Sequence, residues 1–548
     1  MAGKATAASD AGGVVTNAEI ADRLLELSAL LDLAGANTYA VRAYRRASDV
    51  IRATPAPVAE LVRAGRVREL RGIGPSIAAR LEELVATGEI AELRELSQDV
   101  RPELVALGRL VGIGTKRMLE IGRELDVHSA EEFRAAAAAG RLAAVPGIGT
   151  ATEAKILAGL AREPRPQRGL TINRARALTG AVAEALTGVA AGDPRRWCEL
   201  SFDLAVVCAA EEPEPTLDAF ERLPAIVTVI ERESRRAVGV TVEGVPVTLV
   251  VAEPHRYGTE LLRATGPAAY VSSLEPLPDG ADEPAVYNAL GLPWLPPELR
   301  DHPPAAVPPP LVELAEVRGE LHCHTTWSDG RASVLEMGEA ARALGYEYVA
   351  ICDHTPNVRV VTGLTTDDLR RQGEEIAAAN EQLAPFRILR GVECDIRADG
   401  CLDVDDAVLS ELDWVQLSLH AGQRRSKDDL TRIVTEAMRN PHVSALSHPK
   451  GRILNHRPEN ALDLDAVFEV AVEMGTALEI NGLPDRLDLS GDHVREALAA
   501  GVSIVLNSDA HSTVGLANME LAVRTARRGG CGPESVVNTR PAGLLASS

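Results

Sequence analysis

The strongest constraint on this chain is a series of seven short apolar segments in its second half, each ending at a polar side chain. They are residues 320–324, 348–352, 388–392, 414–419, 443–447, 477–480 and 502–507. Helical periodicity separates them, for example over 334–343, 366–383 and 462–474. Alternating strands and helices predict a parallel sheet, and polar residues at the carboxyl ends of the strands predict a barrel with its site on that face. Seven strands therefore predict a (βα)7 barrel over residues 316–548.

The first apolar segment is part of the sequence Gly-Glu-Leu-His-Cys-His-Thr-Thr-Trp-Ser-Asp-Gly at residues 319–330. In a strand, His322 and His324 point to the same side because successive side chains alternate. Ser328-Asp329-Gly330 predicts a turn that brings a carboxylate toward them. This combination suits a divalent metal. A lone His-x-His pair is more often a chance or packing feature, but the recurrence of polar residues at every predicted strand end favours the metal.

These residues resemble the PHP domain, a family named for its occurrence in polymerases and histidinol phosphatases. The resemblance implies hydrolysis of phosphoesters with two to three divalent metals, drawn from Mn, Zn, Fe and Mg. It implies nine ligands: His322, His324, Asp329, His354, Glu393, His420, His448, Asp509 and His511. Three other histidines of this region, His442, His456 and His493, do not match the ligand pattern and are expected to be ordinary surface or packing residues.

Three other residues near the predicted strand ends are candidates for roles beside the metals. Asp353 is expected to orient a neighbouring imidazole. Arg452 and Arg486 are expected to bind a substrate phosphate as bidentate donors. Ion pairs at the surface are the alternative interpretation of both arginines.

Near the amino terminus, the sequence Gly-Ile-Gly occurs three times, each time before a helical stretch. The six glycines are Gly72, Gly74, Gly112, Gly114, Gly147 and Gly149, and the helical stretches are 75–86, 115–125 and 150–161. Helix, glycine turn and helix form the helix-hairpin-helix pattern, in which backbone N–H groups approach a phosphate closely. Such contacts bind the DNA backbone without reading its sequence. One copy would be weak, but three copies predict a helical DNA-binding region over residues 1–162.

Residues 163–300 resemble the palm and thumb of family X DNA polymerases, an α+β nucleotidyltransferase-like fold. The resemblance is carried by residues 192–207, 257–266 and 286–294. In that family, a Gly-Ser-x-Arg-Arg motif binds phosphate, and three carboxylates on strands bind two metals.

The chemical residues of that palm are only partly present here. Asp203 matches the first carboxylate, whereas Ala205 and Thr248 stand at the second and third. Asp193 replaces the phosphate-binding serine ahead of Arg195 and Arg196. One carboxylate cannot bind two Mg²⁺ ions, so we expect a scaffold without polymerase activity.

Composition is consistent with a multidomain chain of 548 residues. Residues 301–315 begin with a proline-rich stretch and are expected to form a linker. The net charge is −22, yet residues 1–168 carry 23 Lys and Arg against 22 Asp and Glu, so the front tolerates phosphate best. Seven scattered cysteines, no signal peptide and no membrane-length apolar segment predict a reduced cytoplasmic protein associated with the nucleoid.

As a whole, the chain resembles the bacterial and archaeal family X polymerases that carry a C-terminal PHP domain. This resemblance implies a role in DNA repair, with 3′–5′ exonuclease or abasic-site endonuclease activity on gapped, recessed or abasic DNA. Three alternatives stay open. An active gap-filling polymerase is opposed by Ala205 and Thr248. A phosphomonoesterase of the histidinol-phosphatase type is opposed by the hairpins, and a non-catalytic DNA-end scaffold would have no use for nine ligands.

Overall fold

The computed structural model describes residues 17–547 except 34–35, 54–57, 71, 100–114, 128–129, 146–168, 242–244, 304–306 and 359–360. The chain forms two compact units. The first consists of Met1–Arg168, Leu178–Ala190 and Phe202–Tyr257, and the second of Gly169–Ala177, Ala191–Ser201 and Gly258–Ser548. Two short segments from the palm-like region, and all of its thumb-like part, therefore belong to the same unit as the predicted barrel.

Helices form the amino-terminal part of the first unit. Their bounds are Asn17–Leu33 (α1), Thr38–Ala53 (α2), Val58–Arg63 (α3), Pro75–Thr87 (α4), Ala91–Asp99 (α5), Thr115–Leu125 (α6) and Ala130–Ala138 (α7). Apolar residues three and four positions apart place one face of each helix inward. Ile20, Leu24, Ile51 and Leu81 are among the residues of the resulting buried core.

The middle of the chain alternates short strands and helices. The strands are Leu170–Thr171 (β1), Val189–Gly192 (β2), Leu200–Ser201 (β3), Leu204–Ala209 (β4), Ile226–Arg232 (β5), Arg236–Thr241 (β6) and Pro246–Ala252 (β7). The helices are Ile172–Ala185 (α8), Glu214–Glu221 (α9), Tyr257–Thr265 (α10), Ala268–Leu274 (α11) and Glu283–Ala289 (α12). One sheet has the strand order β2-β4-β7-β6-β5, while β1 and β3 form a separate antiparallel pair.

The second half is a nearly closed barrel of seven parallel strands, as predicted. The strands are Gly319–Cys323 (β8), Tyr348–Ile351 (β9), Arg387–Asp395 (β10), Trp414–Ser418 (β11), Ala445–Leu446 (β12), Ala477–Asn481 (β13) and Ile504–Asn507 (β14). They lie in sequence order. The first and last strands meet where the N–H of His324 donates to the carbonyl of Ala510 at 2.9 Å. The helices of this part are Val334–Ala343 (α13), Thr366–Leu383 (α14), Asp406–Leu409 (α15), Lys427–Met438 (α16), Leu464–Met474 (α17), Gly491–Ala499 (α18) and Met519–Arg528 (α19).

Alternate residues of the barrel strands face two different apolar clusters. In β13, Ala477 belongs to the smaller cluster and Leu478 to the larger one, which includes residues of the surrounding helices. In β14, Val505 and Ile504 divide in the same way. This period of two explains why the strands read as continuous apolar runs, since both faces are buried.

Buried ion pairs join distant parts of the second unit. Both oxygens of Glu283 accept hydrogen bonds from Arg195, at 2.6 and 2.9 Å, and from Arg300, at 2.7 and 2.9 Å. Arg300 is completely buried. Burial raises the pKa of the Glu283 carboxyl, but the two guanidiniums outweigh it and lower that pKa to about 2.

The proline-rich segment packs against this unit instead of crossing open solvent. Asp301 contacts Arg196 at 3.1 Å and Arg528 at 2.8 Å. Val312 is buried, and its N–H donates to the carbonyl of Cys531 at 2.9 Å. The compact units therefore differ from the predicted boundaries at 163, 301 and 316.

We expect Glu283→Gln to lower the free energy of unfolding by about 3–5 kcal/mol, because the buried guanidinium of Arg300 and the partly buried one of Arg195 lose their charge partner. Urea unfolding measures this. In the wild type, the Glu283 contribution is complete above the unfolded pKa of about 4.3 and is lost as the pH falls toward the folded pKa of about 2. Glu347→Gln removes a half-exposed pair with Arg318 and should cost under about 1 kcal/mol. Equal effects of the two substitutions would contradict this account.

Candidate metal centre

Nine side chains lie together at the carboxyl ends of the barrel strands. Three groups have potential ligand atoms within 4.8 Å of one another: His322, His324 and Asp509; His324, Asp329, His354 and His511; and His354, Glu393 and His420. His448 joins them through Glu393, at 3.1 Å. The barrel thus brings together all nine residues that the resemblance implied as ligands.

Glu393, at the end of β10, is the centre of the cluster. Its Oε2 lies 3.5 Å from His322 Nε2, 3.7 Å from His324 Nε2 and 2.8 Å from His354 Nδ1. Its Oε1 lies 3.4 Å from the Nε2 of His420 and 3.1 Å from that of His448. The carboxylate is 1% exposed. One side chain therefore contacts imidazoles from both sides of the site, the position that a bridging ligand needs.

The other two carboxylates lie on either side of His324. Asp329 Oδ1 is 3.8 Å from His324 Nδ1 and 3.7 Å from His354 Nε2, and its Oδ2 is 3.3 Å from His511 Nε2. Asp509 Oδ1 is 3.2 Å from His324 Nε2. Each ring nitrogen of His324 therefore faces a different carboxylate.

These separations fit divalent metals. Ligand atoms about 2.0–2.2 Å from one metal, at right or tetrahedral angles, lie roughly 3.0–3.5 Å apart. The Nε2 atoms of His322 and His324 are 3.2 Å apart, which is within that range. The buried Nδ1 of His324 has no hydrogen-bond partner among the described residues, as expected for a nitrogen whose lone pair is reserved for a cation. The residues present therefore fit a metal centre.

The charges of the cluster control its titration. Burial, followed by the charge of His354, lowers the pKa of the His324 imidazole to about 3. Burial also lowers the pKa of His511, but Asp329 and Asp509 outweigh it and raise that pKa to about 9. Burial raises the pKa of Asp509, but His322, His324 and Arg486 hold it well below its usual range. The carboxylates are therefore ionised at neutral pH and offer anionic oxygens.

Two carboxylates outside the nine orient the imidazoles, and the sequence analysis did not assign them this role. Glu479 Oε1 lies 2.6 Å from His322 Nδ1, and its Oε2 accepts the N–H of His448 at 2.8 Å. Asp395 Oδ1 lies 3.2 Å from His420 Nδ1. Glu479 and Asp395 both occupy inward strand positions, and that alternation was the available signal.

Asp353 was expected to orient an imidazole, and its contacts are different. Its carboxylate accepts hydrogen bonds from the N–H and hydroxyl of Thr325 at 2.8 and 2.6 Å, from Ser328 at 2.5 Å and from Gln372 at 2.6 Å. These bonds fix the loop that carries Asp329. Asp353 therefore positions a carboxylate, because the loop after β8 folds back over the end of β9.

The two candidate arginines have different surroundings. Arg452 is 7% exposed and pairs with Glu199 at 2.7 Å and Glu459 at 3.3 Å. Its Nε donates to the carbonyl of Arg486 at 3.0 Å, and its Nη2 donates to the carbonyl of Leu487. These contacts use the guanidinium of Arg452, which is therefore not free to bind a phosphate as a bidentate donor. The predicted phosphate-binding role is wrong for this residue.

Arg486 is half-buried and faces the cluster. Burial, then the charge of Arg486, lowers the pKa of His448, and the same charge helps to lower that of Asp509. Within the described part of the chain, no hydrogen bond or ion pair is formed by its guanidinium. The guanidinium donors of Arg486 are therefore not used by the described residues of the chain.

A cavity of about 400 Å³ lies beside the loop between His324 and Asp329. Its lining consists of Thr326, Trp327, Thr362, Gly363, Leu364, Asp368, Arg371 and Glu375. The N–H of Leu364 donates to the carbonyl of His354 at 2.8 Å, which connects the cavity wall to the cluster. The volume is within the usual range of small-ligand pockets, about 300–1,000 Å³.

The three positions that correspond to the metal-binding carboxylates of the palm lie on or beside neighbouring strands, as the resemblance implies. Ala205 on β4 is directly opposite Thr248 on β7, and the two strands are parallel. Asp203 precedes β4 by one residue, so it is on the same side of the strand as Ala205. The three positions are therefore adjacent, and only Asp203 carries a carboxylate. Glu253, a nearby acidic residue, pairs with Arg235 at 3.4 Å.

The phosphate-binding motif of the palm is occupied by internal ion pairs. Asp193 pairs with Arg196 at 2.5 Å, and both side chains are buried. Arg195 is bound by Glu283 at 2.6 Å. Both arginines therefore have carboxylate partners within the second unit.

Of the three predicted hairpins, the first lies within the described residues. Gly72 has a φ of 96°, a left-handed conformation that favours glycine. Gly74 immediately precedes α4, and no atom of the described residues lies within 4 Å of the place its Cβ would take. The start of α4 is therefore open to a phosphate. Gly112, Gly114, Gly147, Gly149 and the helix predicted over 150–161 lie outside the described residues.

Comparison with known families agrees with this architecture. A family model described as a helix-hairpin-helix domain matches residues 15–90, and one described as a PHP domain matches residues 320–502. In the described residues, no helix has the length and apolar character needed to cross a membrane. The barrel and its cluster define a metal-dependent phosphoesterase joined to a DNA-binding helical region.

Related proteins identify the family more closely. The DNA polymerase/3′-5′ exonuclease PolX of Bacillus subtilis (strain 168) is 32% identical over 94% of this chain and 96% of its own length. Probable phosphatases of Syntrophotalea carbinolica and Thermoanaerobacter sp. (strain X514) are 30% and 27% identical, each over 40% of this chain and 90% and 89% of their own lengths. The chain belongs to the PolX family, the family X DNA polymerases that carry a PHP domain.

We expect Glu393→Gln to reduce bound divalent metal by at least half, because the central anionic oxygens that contact five imidazoles lose their charge. Metal content per chain, measured by plasma mass spectrometry after purification, tests this. His442→Gln is the control, since His442 lies off the cluster, and its metal content should equal that of the wild type. Unchanged metal content in Glu393→Gln would contradict the assignment.

Proposed function

We propose that this chain is a DNA-binding, metal-dependent phosphodiesterase that hydrolyses DNA ends or abasic sites during DNA repair. The observation that carries the proposal is the cluster around Glu393, which contacts five imidazoles at one end of the barrel. Six imidazoles and three carboxylates match the donor set of a two- or three-metal phosphoesterase. A 3′–5′ exonuclease activity is named for the Bacillus relative. Such a role associates the protein with the nucleoid.

The nine clustered residues would hold the metals, with Glu393 shared between sites. When bound, divalent metals supply Lewis-acid activation of water and neutralise charge at the attacked phosphate. Glu479 and Asp395 orient His322 and His420 through their Nδ1 atoms. Arg486 binds the substrate phosphate, and the cavity lined by Trp327 accepts the adjoining nucleoside.

The helical region supplies DNA affinity. The open amino terminus of α4 after Gly74 presents backbone N–H groups to a phosphate. The second and third Gly-Ile-Gly sequences are proposed to repeat this contact along the backbone. Contacts of this kind suit gapped, recessed or abasic DNA, because they ignore base sequence.

Specific features of the chain argue against two alternative functions. A gap-filling polymerase needs carboxylates where Ala205 and Thr248 face each other. The shorter relatives are named probable phosphatases, but a phosphatase of small molecules has no use for a helix-hairpin-helix region. DNA hydrolysis uses both the barrel and the hairpins.

Asp509→Ala should abolish hydrolysis of labelled recessed DNA in Mn²⁺, at least 1,000-fold, because it removes a charged oxygen 3.2 Å from His324. Circular dichroism should show an intact fold. Residual hydrolysis above one-tenth of the wild-type rate would contradict the proposal.

The same Asp509→Ala variant should still bind DNA, which separates affinity from chemistry. Its affinity should fall steeply with salt, with a log–log slope of about −0.9 for each duplex phosphate contact. Adding Gly74→Val should weaken binding at fixed salt by at least threefold, because a β-branched side chain blocks close backbone approach. Gly543→Val is the matched control, because Gly543 is exposed in the second unit, has no positive φ and has no described atom within 4 Å of the place its Cβ would take. Unchanged affinity after Gly74→Val would remove the first hairpin from the interface.

Introducing the missing carboxylates into the palm tests whether their absence explains the expected lack of polymerase activity. In the Asp509→Ala background, the unaltered palm should give no templated primer extension on gapped DNA with Mg²⁺ or Mn²⁺. Ala205→Asp and Thr248→Asp together should give measurable extension, while either alone should not, since the carboxylates act as one unit. Asp193→Ser is added to remove repulsion of the triphosphate. Extension by the unaltered palm would contradict the proposal.

A further inference from the structure

Two palm-derived segments, residues 169–177 and 191–201, lie against the loops of the barrel that face the cluster. We call these two segments the brace. The amide of Asn455 donates to the carbonyl of Gly169 at 2.9 Å. Ile172 and Trp197 of the brace form a buried apolar cluster with Leu454 and Leu487 of the barrel loops. The brace therefore touches both the loop after β12 and the loop after β13.

Both of these barrel loops contain unfavourable backbone conformations. His448 and Leu487 have φ values of 28° and 44°, in the left-handed region that most residues with a Cβ avoid, and Asn455, of a type that tolerates this region, has a φ of 64°. Such conformations persist only where the surroundings impose them, and they concentrate at functional sites. The N–H of Leu454 donates to the carbonyl of Asp485 at 2.7 Å, so the two loops are held in register with each other.

Arg452 connects the brace to the turn that carries Arg486. Its Nη2 pairs with Glu199 at 2.7 Å and also donates to the carbonyl of Leu487. Its Nε donates to the carbonyl of Arg486. Glu199 thus supplies the charge partner of an arginine whose remaining donors fix the backbone beside Arg486.

The brace itself is fixed to the last barrel helix, α19. Arg528 donates to the carbonyl of Arg196 and to the sulfur of Cys198, both at 3.0 Å. The guanidiniums of Arg176 and Arg524 lie over the ring of Trp197, at 3.6 and 4.8 Å from its centroid. Cation–π contacts with both arginines hold the ring in place. Glu199 is therefore carried by a rigid support.

We propose that Glu199 is a positioning residue for phosphodiester hydrolysis: through Arg452 it sets the turn that presents Arg486 to the substrate phosphate. The proposal deepens the proposed function and depends on it. It means that part of the degenerate palm is a working component of the phosphoesterase. Loss of Glu199 removes the nearer and more buried charge partner of Arg452, so its guanidinium changes orientation and releases the two carbonyls.

Kinetics of the full-length protein on recessed DNA in Mn²⁺ test the coupling. Glu199→Gln should lower kcat/KM about 10- to 100-fold, because a displaced binding group loses its geometry, while metal content stays at the wild-type level. Arg486→Ala should cost a similar factor in the wild type and less than about twofold in Glu199→Gln. Glu459→Gln, which alters the more exposed partner of the same guanidinium, should stay within about twofold of the wild type. Independent, multiplicative losses would overturn the proposal.

Hydrogen exchange gives a readout that needs no activity. The amide of Leu454 should exchange at least tenfold faster in Glu199→Gln than in the wild type or in Glu459→Gln, with the barrel strands unchanged. Unchanged exchange at this amide would overturn the brace. Glu199→Asp, which keeps the charge, should show an intermediate effect and serves if Glu199→Gln does not fold. Absence of hydrolysis by the wild type would contradict the proposed function alone, because exchange still tests the brace.

Discussion

A single buried carboxylate surrounded by imidazoles is the interaction on which this structure depends. Glu393 contacts five imidazoles from four barrel strands or the loops that follow them, and it is almost fully buried. An ionised carboxylate removed from water is unfavourable unless opposite charges and donors surround it. The barrel supplies them because it closes: His324, after the first strand, lies within 3.2 Å of Asp509, after the last. Closure of the barrel therefore brings the two ends of the cluster together.

The palm-like region matches part of the phosphate-binding motif of its family in sequence, but its two arginines have carboxylate partners within the chain. Arg195 and Arg196 match the arginines of the phosphate-binding motif, yet here they pair with Glu283 and Asp193 in buried bridges. Burying charges in this way is stable only when each keeps its partner. The motif has become part of the packing of the barrel unit, and the strand positions that would bind metal hold Ala205 and Thr248. The paired arginines and the missing carboxylates both favour DNA hydrolysis over DNA synthesis.

The sequence predicted the barrel because its signals are local. Each strand is a short apolar run, and each ends at a residue such as His420 or His448 whose position along the chain places it on the catalytic face. Bounds agreed closely, as for α13 at Val334–Ala343. The PHP resemblance then supplied the ligand set, and all nine residues converge.

Contacts between distant residues could not be predicted in this way. Nothing local connects Glu199 with Arg452, which are separated by most of the palm and thumb, so the role of Arg452 was misjudged. Asp353 was assigned an imidazole partner because it precedes His354, but side chains of adjacent residues point apart, and it binds the Thr325–Ser328 loop instead. The proline-rich stretch predicted a linker over residues 301–315, and Val312 of that range is buried. Composition describes chain stiffness and says nothing about what the chain packs against.

The fate of a labelled primer on gapped DNA tests the central claim most directly. The full-length chain is incubated with this DNA and Mn²⁺, with and without the four deoxynucleoside triphosphates. The account predicts that the primer shortens, that chelation of the metal stops the shortening, and that added nucleotides neither lengthen the primer nor protect it. A primer that lengthens with nucleotides, or that stays intact in every divalent metal tested, would contradict it.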